Sequence, residues 1–403
     1  MKILLSNKYY YPRGGDCIYT IELEKLLKEK GHEVAVFSMQ HPSNLNTEYS
    51  GYFPSEIDFN KKSLKNFITV LMRPFGSPEV RRNFIRIIND FKPDILHLNN
   101  IHSQISPVIA RIAYKRNIPV VWTLHDCKLA CPAYLFLNNN KICEECLTNR
   151  LSVIRKRCIK HSLLASTLAY FESLFWNKKK LTRITNVFIS PSMFLKGKMI
   201  LGGLNPSKMK LVNNFLNVSK FSPSYKDKKN YYCYIGRLSA EKGIETLLKA
   251  AAVLPQYTLK LIGTGPLESD LRSKNKLNHI DFLGHKNWDE IKNILMGSRC
   301  MVIPSECYEN NPLTILESLC MGTPVIGTNI GGIPELINPG VNGLLFEPGD
   351  FIDLQDKISF LWHHAENFDS TVIANNARIL FNSDSHYEKI ISIYNTSINH
   401  LNH

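Results

Sequence analysis

The chain has 403 residues, enough for two or three domains that each bury a core. Hydrophobic residues make up 44% and charged residues 21%, and no apolar run reaches the roughly 18 residues of a membrane-spanning helix. The net charge of +14 is one-sided: residues 1–210 carry 32 Lys and Arg against 15 Asp and Glu, whereas residues 211–403 carry 17 against 20. That asymmetry points to a polyanion or an anionic membrane facing the first half. No nucleic-acid-binding module is recognisable, so nucleic acid is not the expected partner. The start, Met1 to Ser6, has too short an apolar core for a signal peptide, so the chain is expected in the cytoplasm, peripheral on the cytoplasmic face of the membrane.

In chain order, short apolar strands alternate with helical stretches, the pattern of a parallel sheet covered on both faces. Strands are predicted at Lys2–Ser6, Glu33–Ser38, Asp94–Leu98, Pro119–Leu124 and Asn186–Ser190. The first helix, Cys17 to Lys30, sets Ile18, Ile21, Leu26 and Leu27 at helical spacing. A polar, turn-rich stretch from Asn213 to Asn230 reads as a linker. The pattern then resumes with Tyr231–Ile235, Thr258–Ile262, His279–Leu283, Cys300–Ile303 and Pro324–Gly327. The expected division is 1–212, with a Cys-rich insertion at about 127–161, then 213–383, then a helix over 384–403.

The segment from Pro304 to Glu317 carries the most chemistry. It reads as a strand end, a polar loop and a helix, with Asn311 placed to cap and Pro312 suited to the first helical position. The amides of Leu313 and Thr314 would then point out of the helix start, where the dipole favours an anion. Glu309 precedes those amides and Glu317 follows them by a turn or so. One phosphate-binding helix end thus has a carboxylate on each side, a layout that suits the hydroxyls of a nucleotide-sugar. Arg237 and Lys242 follow the Tyr231–Ile235 strand, at the sheet edge where such folds bind ligands, and offer a planar fork and a point charge to a diphosphate. Gly14 and Gly15 open the first helix and allow close backbone approach to a phosphate or an acceptor. Their loop lacks the Gly-x-Gly-x-x-Gly spacing of a dinucleotide site. Gly263 and Gly265, with Leu283-Gly284-His285-Lys286, close two further strands and are candidates for cradling the nucleoside. His125 and Asp126 end the Pro119–Leu124 strand.

The Glu309-x7-Glu317 element resembles the retaining glycosyltransferases of family 4. Gly236-Arg237-Leu238-Ser239-Ala240-Glu241-Lys242-Gly243 is similar to that family's loop for the donor diphosphate. Gly322 to Gly327, Gly331-Gly332-Ile333-Pro334-Glu335 and Tyr11-Pro12-Arg13-Gly14-Gly15 match in the expected order. The resemblance runs from Lys2 to about Tyr394. It implies two Rossmann-like α/β domains facing across a cleft, the glycosyltransferase B fold, with the C-terminal helix crossing back to the first domain. It implies that Glu309 holds donor-sugar hydroxyls, Glu317 the ribose, and His125 the donor sugar from the first domain. Front-face attack is the family's account of retention. Where the family has Pro-Asn-Gly this chain has Asn213-Asn214-Phe215.

Five cysteines fall in Cys127-x3-Cys131-x11-Cys143-x2-Cys146-x11-Cys158, followed by His161. Cys143/Cys146 and Cys158/His161 have the spacing of structural zinc ligands, with thiols that simply pack as the alternative. The expected activity is retaining transfer of a hexose-type unit from a nucleoside diphosphate sugar to a glycan or lipid-linked acceptor, in cell-surface polysaccharide biosynthesis, with no cofactor required for catalysis. The rivals are a nucleotide-sugar epimerase or sugar phosphorylase on the same fold, and a non-catalytic donor- or membrane-binding partner of another transferase. The apolar residues Leu163, Leu164, Leu168, Phe171, Leu174, Phe175 and Trp176, bracketed by basic clusters, read either as an amphipathic membrane face or as a core helix with a basic collar. A second basic segment contains Lys61, Lys62, Lys65, Arg73, Arg81, Arg82 and Arg86.

Overall fold

The computed structural model describes residues 1–57, 64–221 and 228–399, with residues 64–66 described through their backbone alone. Lys61 and Lys62 of the second basic segment lie outside the described residues, as does the side chain of Lys65. The chain divides into two compact units. The first comprises Met1–Asn138, Cys143–Asn213 and the segment from Asp384; the second comprises Asn139–Ile142 and Asn214–Ser383.

The first unit is built on a parallel six-stranded sheet of β1 (Lys2–Ser6), β2 (Glu33–Phe37), β3 (Ile95–Leu98), β4 (Val120–Thr123), β7 (Val187–Ser190) and β8 (Met209–Leu211), in the order β2-β1-β3-β4-β7-β8. Between β4 and β7 the insertion carries a small hairpin, β5 (Leu137–Asn138) and β6 (Lys141–Ile142). The central strands are buried on both faces, which is why they read as continuous apolar runs: Ile3, Leu4, Leu5, Ile95, Leu96, Val120 and Val121 are all fully buried. The first helix runs Gly15–Glu29. It buries Ile21, Leu26 and Leu27 as expected, but Ile18 is exposed and Cys17 and Leu23 take the inner face.

The second unit repeats the plan with β9 (Tyr231–Ile235), β10 (Thr258–Ile262), β11 (Ile280–Gly284), β12 (Met301–Ile303), β13 (Val325–Thr328) and β14 (Gly343–Phe346), ordered β11-β10-β9-β12-β13-β14. Every pairing resolved in it is parallel. Both units are thus parallel-sheet α/β domains, the architecture that the resemblance to family 4 implies. The sequence reading had no strand at β8 or β14. Both are short and set among polar or turn residues, so they carry little apolar signal of their own.

Chain order reverses beside β1 in the first sheet and beside β9 in the second. In doubly wound sheets such switch points open a crevice outside the carboxyl ends of the strands, where ligands bind. The candidate residues collect at these two places.

Candidate functional site

In the second unit the switch point lies between β9 and β12. From β9 the chain turns at Gly236, exposes Arg237, and makes a short turn over Ala240–Lys242 before the Ile244–Ala252 helix. From β12 it passes through Ser305 and Glu306 to Glu309, and enters the Leu313–Cys320 helix. The two loops are locked together by backbone: Glu306 N donates to Glu241 O at 3.0 Å, and a Cβ on Gly243, at φ +67°, would stand 1.8 Å from Pro304 O. Glycine is therefore obligatory at position 243.

Lys242 Nζ donates across this junction to Glu309 Oε1 at 2.5 Å, and Ser305 Oγ donates to the same oxygen at 2.8 Å. Burial pushes the Glu309 pKa up, but the attraction and hydrogen bond of Lys242, with the bond from Ser305, outweigh it and leave the group below the usual carboxylate value. Burial likewise works against the Lys242 charge, and Glu309 more than restores it. The structure thus joins the two residues assigned to opposite ends of a donor, one to phosphate and one to sugar. Tyr234 braces the same loop, its hydroxyl donating to Arg237 O at 2.8 Å.

The helix after Glu309 starts at Leu313, with Pro312 at the cap position and no side chain capping it. This corrects the expectation for Asn311. Its Oδ1 accepts from Asn214 N at 3.0 Å and its backbone oxygen accepts from Asn214 Nδ2 at 2.8 Å, so the cap is spent on the linker. Leu313 and Thr314 occupy the first helical positions without a side-chain acceptor from the cap, which suits an incoming anion. Further along, Glu317 is partly exposed, yet withdrawal from water raises its pKa to about 7 and no cation opposes the shift.

Gly263 and Gly265 are explained by the protein's own backbone. A Cβ at Gly263 would lie 2.0 Å from Gly236 O, and one at Gly265 2.2 Å from Leu238 O. They let the loop after β10 lie against the loop that carries Arg237. Gly331 plays a similar part, since a Cβ there would meet Glu309 O at 2.5 Å, and Gly332 N donates to that oxygen at 2.8 Å. Gly14 and Gly15 differ. Gly14 is extended at φ −168°, and a Cβ on Gly15 would meet nothing within 4 Å, so the glycines leave open space at the start of the helix.

At the first unit's sheet edge, His125 Nε2 lies 2.9 Å from Asn99 Oδ1, and its ring packs edge-on to Tyr19 at 5.0 Å. Burial lowers its pKa to about 4, with Asp16 opposing and Lys8 adding to the shift, so the ring is neutral at pH 7. Behind it, Tyr19 reaches His386 Nε2 at 3.1 Å, and His386 Nδ1 donates to Asn213 O at 3.0 Å. His97 joins Tyr394 and Thr123 at 2.5 and 2.7 Å. Sequence reasoning missed Ser305, Asn99, Tyr19 and His386. None carries a local pattern, because each acts through a partner distant in the chain or through a loop whose fold is not periodic.

Among the described residues no group of three or more His, Cys, Asp or Glu side chains is placed to hold a metal ion, the expected set of Cys143, Cys146, Cys158 and His161 included. Cys131, Cys143, Cys146 and Cys158 lie close enough to act on one another electrostatically, with Cys146 hydrogen-bonded to Cys131, Lys156 Nζ donating to Cys143 Sγ at 3.5 Å and Asn138 Nδ2 donating to Cys158 Sγ at 3.5 Å. His161 is exposed at φ 55°.

The sequence matches the family described as Glycosyltransferase Family 4 over residues 13–220, and that described as Glycosyl transferases group 1 over residues 217–378. The first match alone spans more than half the chain, and the chain belongs to glycosyltransferase family 4. An uncharacterised glycosyltransferase of Methanocaldococcus jannaschii is 26% identical over 359 residues, covering 86% of this chain and 85% of its own. A Klebsiella pneumoniae protein from the cps region is 27% identical, covering 98% of this chain and all of its own length. Among solved structures, Anabaena HepE in complex with UDP-glucose aligns with a TM-score of 0.70 at 19% identity, covering 98% of this chain and 100% of HepE.

Proposed function

We propose that this chain transfers a hexose-type unit, with retention, from a nucleoside diphosphate sugar to a glycan or lipid-linked acceptor in cell-surface polysaccharide biosynthesis. The observation that carries the reading is the Lys242–Glu309 pair at the second unit's switch point, beside a helix start that no side chain caps. Lys242, Arg237 and the first amides of the Leu313–Cys320 helix supply positive charge for the leaving diphosphate. Glu309 accepts hydrogen bonds from the donor sugar and Glu317 from the ribose, and the family resemblance assigns neutral His125 to the donor sugar as well. Front-face attack then delivers the acceptor, with a donor phosphate oxygen taking its proton. Because protein cations and amides carry the diphosphate charge, a chelator should leave the initial rate unchanged.

Two relatives support the finer terms. HepE was crystallised with UDP-glucose, which makes a nucleoside diphosphate hexose the first donor to try. The Klebsiella protein's place in a cps region favours a polysaccharide acceptor. The first unit's positive charge fits a peripheral location on the cytoplasmic face of the membrane. The test is to incubate the purified chain with labelled nucleotide-sugars and a membrane extract. Label moving into glycan or lipid is the expected result. Isomerised donor, phosphate-dependent cleavage or no turnover of any donor would replace this reading with an epimerase, a phosphorylase or a binding partner respectively.

A further inference from the structure

The Leu163–Phe175 helix is amphipathic in the inverted sense. Its buried positions are Ser166, Ala169 and Glu172, small or polar, while Leu163, Leu164, Phe171, Leu174 and Phe175 are 36% to 58% exposed. Core helices bury the apolar face. This overturns the core-helix reading of the stretch, and the reason is Glu172: its carboxylate accepts Lys128 Nζ at 2.9 Å, with both side chains 8% exposed, and Lys128 also lies 4.4 Å over the Tyr134 ring. That inward charge pair turns the leucines and phenylalanines outward.

A second exposed apolar set adjoins the first. Phe175 packs edge-on against Phe75 with centroids 5.3 Å apart, and Trp176 Nε1 donates to Pro74 O at 2.8 Å, clasping the Arg73–Phe75 turn. The Leu64–Met72 helix runs into that turn and exposes Phe67, Ile68 and Met72 by 45% to 48%. Contiguous apolar surface of this kind marks an interaction face. Exposed cations bracket it, with Arg155, Arg157 and Lys160 before the Leu163–Phe175 helix and Lys179, Lys180 and Arg183 after it. Glu172, the only acid between residues 150 and 183, is buried. Beside the trailing cations a groove of about 440 Å³ is lined by Lys178, Lys179, Arg183 and Lys208 and by no acid. No helix among the described residues is long and apolar enough to cross a membrane, so this face would lie on a bilayer, not span it.

We propose that this two-helix face docks on an anionic lipid bilayer, its leucine, phenylalanine and methionine side chains entering the interface and its Lys and Arg collar meeting lipid phosphates. A second copy of the chain is the poorer occupant, because it would bring to the contact the same cation-rich collar, in which Arg155 pairs with Glu145 at 3.6 Å. The inference deepens the acceptor side of the reading above, and rests on it only for the purpose that docking serves. The groove of Lys178, Lys179, Arg183 and Lys208 is the place for a headgroup phosphate.

The test is co-sedimentation of the full chain with phosphatidylcholine vesicles, with and without phosphatidylglycerol, at low and high salt. The wild type should bind the anionic vesicles, less so at high salt, and largely ignore the neutral ones. Phe171→Ser with Leu174→Ser, and separately Lys179→Gln, Lys180→Gln with Arg183→Gln, should each weaken binding by about tenfold or more. All these positions are exposed, so the variants should keep the wild-type circular dichroism spectrum and thermal shift with nucleoside diphosphates. Variants that bind vesicles as the wild type does would overturn the proposal. So would a wild type that ignores anionic vesicles and self-associates through Phe171 and Leu174. Loss of nucleotide binding with docking intact would count against the transferase reading alone and leave this one standing.

Discussion

The two switch points solve different problems with the same fold. In the second unit the carboxyl edge is charged: Lys242 bonds Glu309 beside an uncapped helix, exposed Arg237 stands on the same loop as Lys242, and Glu317 lies further along that helix. In the first unit a layer of neutral rings lies at the corresponding edge, with burial lowering His125 to about 4 and His97 and His386 to about 3, while Lys8 and Asp16 act electrostatically on His125 and on Asp126 beside it. Under the proposed reading, the charged edge serves the diphosphate and the other offers ring faces and hydrogen bonds from neutral histidines to a sugar. The lesson is that a Rossmann-like sheet supplies only the place. Side chains on a few loop positions decide whether that place reads charge or shape.

Glu309→Gln should break the comparison most deeply. Turnover should fall about a hundredfold or more while circular dichroism stays native, because the lost charge would act on the reacting sugar. Near-normal turnover would remove Glu309 from the chemistry. Lys242→Ala and Arg237→Ala sharpen the charged side by separating two roles. Each should raise the donor KM by about tenfold or more. Only Lys242→Ala should also cost stability, on the order of 1–3 kcal/mol in urea unfolding, since it strands the Glu309 carboxylate; exposed Arg237 should change stability by less than about 0.5 kcal/mol.

The neutral side should appear in acid. A histidine held neutral in the fold keeps its full contribution above about pH 6.5, and loses it as pH falls towards the folded pKa near 3 or 4, because the unfolded chain takes up the proton first. Urea midpoints should therefore drop between pH 6.5 and 4, and His125→Phe should flatten part of that fall. Glu317 has the opposite sign: with a folded pKa of about 7 it contributes most at low pH and costs stability as pH rises through 7. Glu317→Gln should raise stability at pH 8 by about 1 kcal/mol, the partial exposure of the group being allowed for, while weakening donor binding.

Much of the charged edge was legible in the sequence. Arg237, Lys242, Glu309 and Glu317 sit at strand ends and a helix start, and Gly243 and Gly331 mark close backbone approaches that no other residue tolerates. The neutral edge was legible only as His125, since its neighbours Asn99, Tyr19 and His386 come together through tertiary folding. The inverted Leu163–Phe175 helix shows the limit most sharply. Its periodicity reveals a face, but which way that face points depends on Lys128, a residue distant in sequence, capturing Glu172. The cysteine spacing is limited in the same way. Regular intervals describe distance along the chain, and here Cys146 meets Cys131 while Cys143 and Cys158 are taken by Lys156 and Asn138.

The central claim is that the second unit's edge, and not the first's, holds a nucleoside diphosphate. Thermal shift with UDP, GDP and ADP on the wild type, Lys242→Ala, Arg237→Ala and His125→Phe tests it most directly. Binding stabilises the native state by RT ln(1 + [L]/Kd), about 2.7 kcal/mol at a hundredfold excess over Kd, so the right nucleotide should stand out by several degrees. The account predicts that one nucleotide stabilises the wild type and His125→Phe alike and fails with Lys242→Ala and Arg237→Ala. No response to any nucleotide, or an equal loss in His125→Phe, would contradict it.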